Sequence, residues 1–160
     1  MRRIANLLAL LSPAPALALS CMPYGPMLAL VDAKADGPTA MVVGTLEFDE
    51  AQLPVVNYDQ QAATPPLTTI AASLVGHIAL KDGKVGPITM PVTLEVACIG
   101  PWCGMVLPET EYMTVIRQTE DGPVIRISPC ETAIFQNVEA EMMDRLQTCM
   151  SGGACNALPN

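Results

Sequence analysis

A chain of 160 residues with a net charge of −8 is long enough for one packed core and too acidic for a nucleic-acid partner. Only 15% of it is charged and 51% is hydrophobic, so a packed domain rather than a disordered polyelectrolyte is expected. Fifteen prolines and eleven glycines announce frequent turns.

The N-terminus reads as a secretory leader. Arg2 and Arg3 form a short positive region, residues 4–11 form a mostly apolar stretch, and Ala16-Leu17-Ala18 and Ala18-Leu19-Ser20 both offer small residues to a signal peptidase. Ser12, Pro13 and Pro15 break the run, leaving it too short to span the ~30 Å of a bilayer core. With residues 1–20 removed, one domain of residues 21–160 remains, carrying 6 basic against 16 acidic residues and a balance of −10. Export to the periplasm or the extracellular space is the expected fate.

All six cysteines, Cys21, Cys98, Cys103, Cys130, Cys149 and Cys155, follow the leader, and an even number in an exported chain implies disulfides. Cys21 has a competing reading, as the acylated first residue of an envelope lipoprotein. The small and leucine positions before it are reversed relative to a lipobox, and acylation would orphan one thiol. Six cysteines leave many connectivities open. Cys149 and Cys155 are the local pair, since a helix end and Gly152-Gly153 let the chain fold back.

Segment 21–38 starts irregular and reaches a short helix near residues 27–35. Residues 41–48 read as a strand with a bulge or bend at Gly44, and residues 49–67 as a long connection. Residues 68–80 alternate as a strand interrupted by Gly76, and Lys81-Asp82-Gly83-Lys84 supplies a tight turn. Residues 91–98 form the cleanest strand, with Val92, Leu94 and Val96 on one face. Residues 111–118 and 123–128 pair as a hairpin around Glu120-Asp121-Gly122. Asn137 caps a last helix running to about Met150, whose stripe of Val138, Met142, Leu146 and Cys149 packs on the core and which Gly152-Gly153 end. About five strands and a C-terminal helix predict a mainly β fold, a small antiparallel barrel braced by disulfides.

The chain carries little recognisable chemistry. His77, the single histidine, lies mid-strand without a Gly-x-Ser-x-Gly turn and reads as a structural or surface residue. The cysteine spacings fit neither a zinc ribbon nor a Cys-x-x-Cys redox centre, and phosphate loops and dinucleotide fingerprints are absent. Glu109, Glu111, Glu139, Glu141 and Asp144 follow no calcium-loop spacing and read as a solvated acidic face. The ten methionines are scattered, as filling residues are. Neither enzyme activity nor a metal or cofactor is therefore expected. Trp102, the single tryptophan, sits in Cys98-Ile99-Gly100-Pro101-Trp102-Cys103-Gly104, where it either packs over the disulfides or serves a partner as an exposed anchor.

One resemblance emerges from the order of these features. Cys21 after the leader, Val42-Val43-Gly44-Thr45-Leu46, Cys103-Gly104, then Glu111-Tyr112-Met113-Thr114-Val115 leading through a hairpin to Cys130, is similar to the netrin-like module of the tissue inhibitors of metalloproteinases. The resemblance implies an oligonucleotide/oligosaccharide-binding (OB)-type barrel and a disulfide from Cys21 to Cys103 or Cys130. It also implies a metalloprotease inhibitor whose Cys21 amino group and carbonyl chelate the catalytic zinc. Those inhibitors carry a second cysteine two residues on, where this chain has Pro23. Taken together, the sequence leads us to expect an exported, non-catalytic, disulfide-stabilised domain that binds a protein or another envelope component, with Cys21 and Trp102 as candidate binding residues.

Overall fold

A computed structural model of the chain describes residues 19–79 and 85–156. Residues 1–18 of the expected leader and the Lys81-Asp82-Gly83-Lys84 turn lie outside the described residues.

The first helix, α1 (Pro26–Asp36), starts with proline in its first turn, where a missing N–H leaves no bond unmade. Its buried residues Met27, Leu30 and Ala33 recur every three positions and form one apolar stripe. The strands β1 (Thr39–Glu47), β2 (Leu67–Ala79), β3 (Val85–Ile99), β5 (Glu111–Thr119) and β6 (Gly122–Ile127) are the expected five. Two further pieces of two residues each, β4 (Trp102–Cys103) and β7 (Ile134–Phe135), are too short to show a period in the sequence.

β1 pairs antiparallel with β2 on one edge and with β5 on the other, β2 pairs antiparallel with β3, and β5 with β6. β3 and β6 then pair with each other, so hydrogen-bonded neighbours complete a ring, β1-β2-β3-β6-β5 and back to β1. That last pair is parallel, from Thr93 opposite Val124 to Val96 opposite Ile127, which corrects the all-antiparallel expectation. Alternating strand directions cannot close on themselves around an odd number of strands, so one parallel seam is unavoidable. The first half of β3 lies beyond this seam, and among the described residues its second edge has no strand neighbour; Pro87 and Pro91 stand along it, where proline discourages further pairing.

Two hydrophobic clusters account for the alternation. Inside the ring lie Val42, Leu46, Ile70, Leu74, Val92, Leu94, Val96, Ile116, Ile125 and Ile127, all buried. Outside it, Met41, Met113 and Val115 pack against Met27 and Leu30 of α1 and Leu146 and Cys149 of the second helix, α2 (Ala140–Met150). β5 therefore has both faces covered, which is why Tyr112-Met113-Thr114-Val115-Ile116 is buried without interruption. Lys34 joins the two helices, its Nζ donating to the Cys149 carbonyl oxygen at 2.7 Å, where a cation suits a helix C-terminus.

Two local expectations change. Gly44 makes no bulge, because the β1–β2 register runs unbroken from Val42 opposite Ile78 to Glu47 opposite Ser73. Asn137 is not the cap of α2: it sits at φ 52, a conformation asparagine tolerates, and Glu139 occupies the cap position. Val138 and Met142 pack with Leu146 and Cys149 as the stripe predicted, and Gly152 at φ 91 ends the helix.

The cysteines form Cys21–Cys130, Cys98–Cys103 and Cys149–Cys155. No helix among the described residues is long and apolar enough to cross a membrane.

Candidate functional site

β1, β3 and β6 all point to one end of the ring, so the segments that follow them, 48–66, 100–110 and 128–133, gather there. Between them lies a groove of about 880 Å³. Its floor is the end of the ring core, Val106, Tyr112 and Ile134, all buried. Its walls are Leu53, Pro54, Val56 and Tyr58 on one side, and Pro101 to Leu107 on the other. Among the described residues no Asp, Glu, Lys, Arg or His lines it, in a chain where 16 residues are acidic; Ser128, Thr132 and Gln136 add uncharged polar side chains.

Both walls have identifiable supports. In the 48–66 connection the Asp49 and Asn57 side chains accept from the N–H groups of Ala51 and Asp59, each at 3.0 Å, and start two short 3-10 turns. Leu53 packs against the ring core and the Pro66 carbonyl accepts from the Cys98 N–H at 2.9 Å, so the connection is held at both ends. In the opposite wall Cys98 and Cys103 are register partners as well as disulfide partners, and Gly100 at φ 58 turns the chain between them. Gly104 fits closely against the Ile127 carbonyl, where a Cβ would collide with backbone. The Leu107 N–H donates to the Tyr112 hydroxyl at 3.1 Å, and the Glu109 N–H donates to the Leu46 carbonyl at 3.1 Å.

Trp102 is 36% exposed. Its ring lies against Gly100 on its own turn and borders the groove, so the two sequence readings, packing and exposure, each describe part of it. Tyr58, Met105 and Leu107 are exposed beside it, at 73%, 80% and 47%. Sequence reasoning missed these three. Met105 and Leu107 alternate with buried Gly104 and Val106, but the four residues are apolar throughout, so no period-two signal in the sequence marks which of them face outward.

Cys21 does not itself line the groove but lies next to Pro129, which does, and is exposed. Its sulfur is bonded to Cys130, one of the two partners the netrin-like resemblance implies, and a sulfur so engaged has no valence left for an acyl-glyceryl thioether. Cys103 instead pairs with Cys98. His77 is exposed on β2 and is not part of the groove. Glu139, Glu141 and Asp144 lie at the start of α2 and do not line it, and among the described residues no three His, Cys, Asp or Glu side chains gather as a metal site would require.

Compared with protein families, curated proteins and solved structures, the chain matches no family model, no curated protein and no solved structure. The likeness to the netrin-like module thus rests on the residues quoted above.

Proposed function

We propose that this chain is an exported, non-catalytic binding domain, an OB-type barrel that meets a protein or another envelope component through the groove at its upper end. The observation that carries this reading is the uncharged groove with Trp102 and Tyr58 at its rim. Contiguous exposed apolar surface on a small acidic protein marks an interaction site, and aromatic residues are the usual anchors. The five-strand ring with a single parallel seam supports the OB-type barrel. Export is supported by the bridging of every cysteine, which needs an oxidising compartment, and the engaged sulfur of Cys21 favours a soluble form over a lipoprotein.

The test is capture from the compartment into which the protein is secreted, comparing the native chain with Trp102→Ala and Tyr58→Ala. Because Leu53 and Pro66 anchor the connection, point substitutions are more informative than deleting it. Each substitution should leave the circular dichroism unchanged and reduce capture at least about tenfold, as loss of an aromatic anchor does. A partner retained equally by both variants would remove the groove from the interface.

Metalloprotease inhibition is the second reading, favoured by the Cys21–Cys130 bridge that fixes an exposed Cys21 beside Pro129, a lining residue of the groove. One alanine added ahead of Cys21 should abolish inhibition. Unchanged potency would exclude chelation by that residue.

A further inference from the structure

The groove is already in contact with a piece of this chain. Leu19, two residues before the Cys21–Cys130 bridge, is half-buried and lines the groove together with Trp102 and Tyr58. Residues 19 and 20 belong to no helix or strand, so the contact is one of a leucine on a tether, not of a folded element. The bridge fixes where the tether begins, since Cys21 is bonded beside Pro129, itself a lining residue.

From this, and resting on the binding reading above, we infer that the ligand of the groove is a peptide presenting a leucine-sized aliphatic side chain, and that Leu19 is its intramolecular competitor. The chemistry of the walls selects such an occupant. With no charged side chain in the lining among the described residues, neither a phosphate headgroup nor an acidic or basic side chain finds a counter-charge there. Tyr112, the polar group on the floor, has its hydroxyl engaged by the Leu107 N–H. Apart from Ser128, Thr132 and Gln136, what the lining offers is aliphatic and aromatic contact, where a buried leucine gains most.

The two small-residue pairs at the leader edge then acquire different consequences. Processing after Ala18 leaves Leu19 as the first residue, tethered in the groove by the bridge at Cys21. Processing after Ser20 removes it and leaves the groove free. Peptidase choice would thereby set whether the exported protein is occupied or receptive.

Two chains separate these states, one beginning at Leu19 and one at Cys21. Both retain all six cysteines and every helix and strand of the described residues, and correct folding is checked by circular dichroism and by the absence of free thiol. The probe is the blocked peptide Ala-Leu-Ala-Leu-Ser, the sequence of residues 16–20, read by the emission of Trp102, the only tryptophan. The Cys21 chain should bind it saturably, with a blue shift. The Leu19 chain should bind about tenfold more weakly, because a tethered leucine competes for the same contacts. A peptide with aspartate at its second leucine should fail to bind the Cys21 chain. Equal affinity of the two chains, equal binding of the aspartate peptide, or no binding at all would overturn the inference. So would self-association of the Cys21 chain in place of peptide binding. If partner capture remains sensitive to Trp102→Ala while the leucine peptide does not bind, the leucine specificity falls and the binding reading stands. Loss of both discards the groove.

Discussion

Gly44 and Gly76 face each other across β1 and β2, and neither has room for a side chain. A Cβ on Gly44 would run into the Val75 carbonyl oxygen and the Gly76 Cα, and a Cβ on Gly76 would meet the Val43 carbonyl oxygen and the Gly44 Cα. All of these obstacles are backbone in a continuous ladder, with β5 on the far edge of β1, so relief requires the sheet itself to shift. Gly44→Ala and Gly76→Ala should each destabilise the fold by about 1–3 kcal/mol, the range for overpacking. Urea unfolding followed by circular dichroism measures this, and a loss below 0.5 kcal/mol would mean that the two strands are not so closely apposed.

Thr114 presents the opposite case, a polar group that the core could do without. It is fully buried on β5, between the inward residues Tyr112 and Ile116, and its hydroxyl has no hydrogen-bond partner. Thr114→Val keeps the shape and removes the unsatisfied group, so it should stabilise the protein by about 1 kcal/mol. A higher midpoint of thermal unfolding is the expected result; a lower one would reveal a partner for the hydroxyl.

These two positions illustrate what a sequence can disclose. Alternation made β1, β2, the second half of β3 and the β5–β6 hairpin readable, because each buries one face or turns at a marked site such as Gly122. The first half of β3 was hidden by Gly86, Pro87 and Pro91, residues that usually end strands. A glycine within a strand has two physical causes, a bulge or a close approach, and only the register of Gly44 with Gly76 tells them apart. Likewise an asparagine before a helix can cap it or occupy the left-handed region, as Asn137 does. The β3–β6 seam joins residues far apart in the chain and leaves no local trace. In the groove, Trp102 was conspicuous by its setting between two cysteines. Tyr58 and Met105 were not, since exposure is a property of the assembled walls.

Tyr24 makes stability depend on alkaline pH. Burial, and then the hydrogen bond its hydroxyl donates to the Asp32 carboxylate at 3.0 Å, raise its pKa well above the ordinary tyrosine value of 10.0. The folded state thus holds a proton that the unfolded chain releases near pH 10. The stabilisation is complete below that pH and is lost as the pH rises through it towards the folded value. Between about pH 9 and 11 the urea midpoint of the native protein should fall more steeply than that of Tyr24→Phe. Parallel profiles would show that Tyr24 does not contribute to the alkaline limb.

The three disulfides should differ in what their removal costs, and the order follows from the loops they close. Cys21–Cys130 spans 109 residues of sequence, whereas Cys98–Cys103 and Cys149–Cys155 span 5 and 6. On loop-closure entropy the long bridge is worth about 5 kcal/mol and each short one about 2 kcal/mol. Replacing Cys21 and Cys130 together by serine should therefore lower stability most, and the other two pairs should each cost less than half as much. The long bridge also has a local effect the entropy does not express. It joins the segment before α1 to the turn after β6, and Pro129 of that turn lines the groove. The Cys21→Ser, Cys130→Ser protein should accordingly show altered Trp102 emission as well as reduced stability, whereas the Cys149→Ser, Cys155→Ser protein, changed on the far side of the ring wall, should keep native emission. If both pairs leave the emission unchanged, the bridge stabilises the chain without shaping the groove.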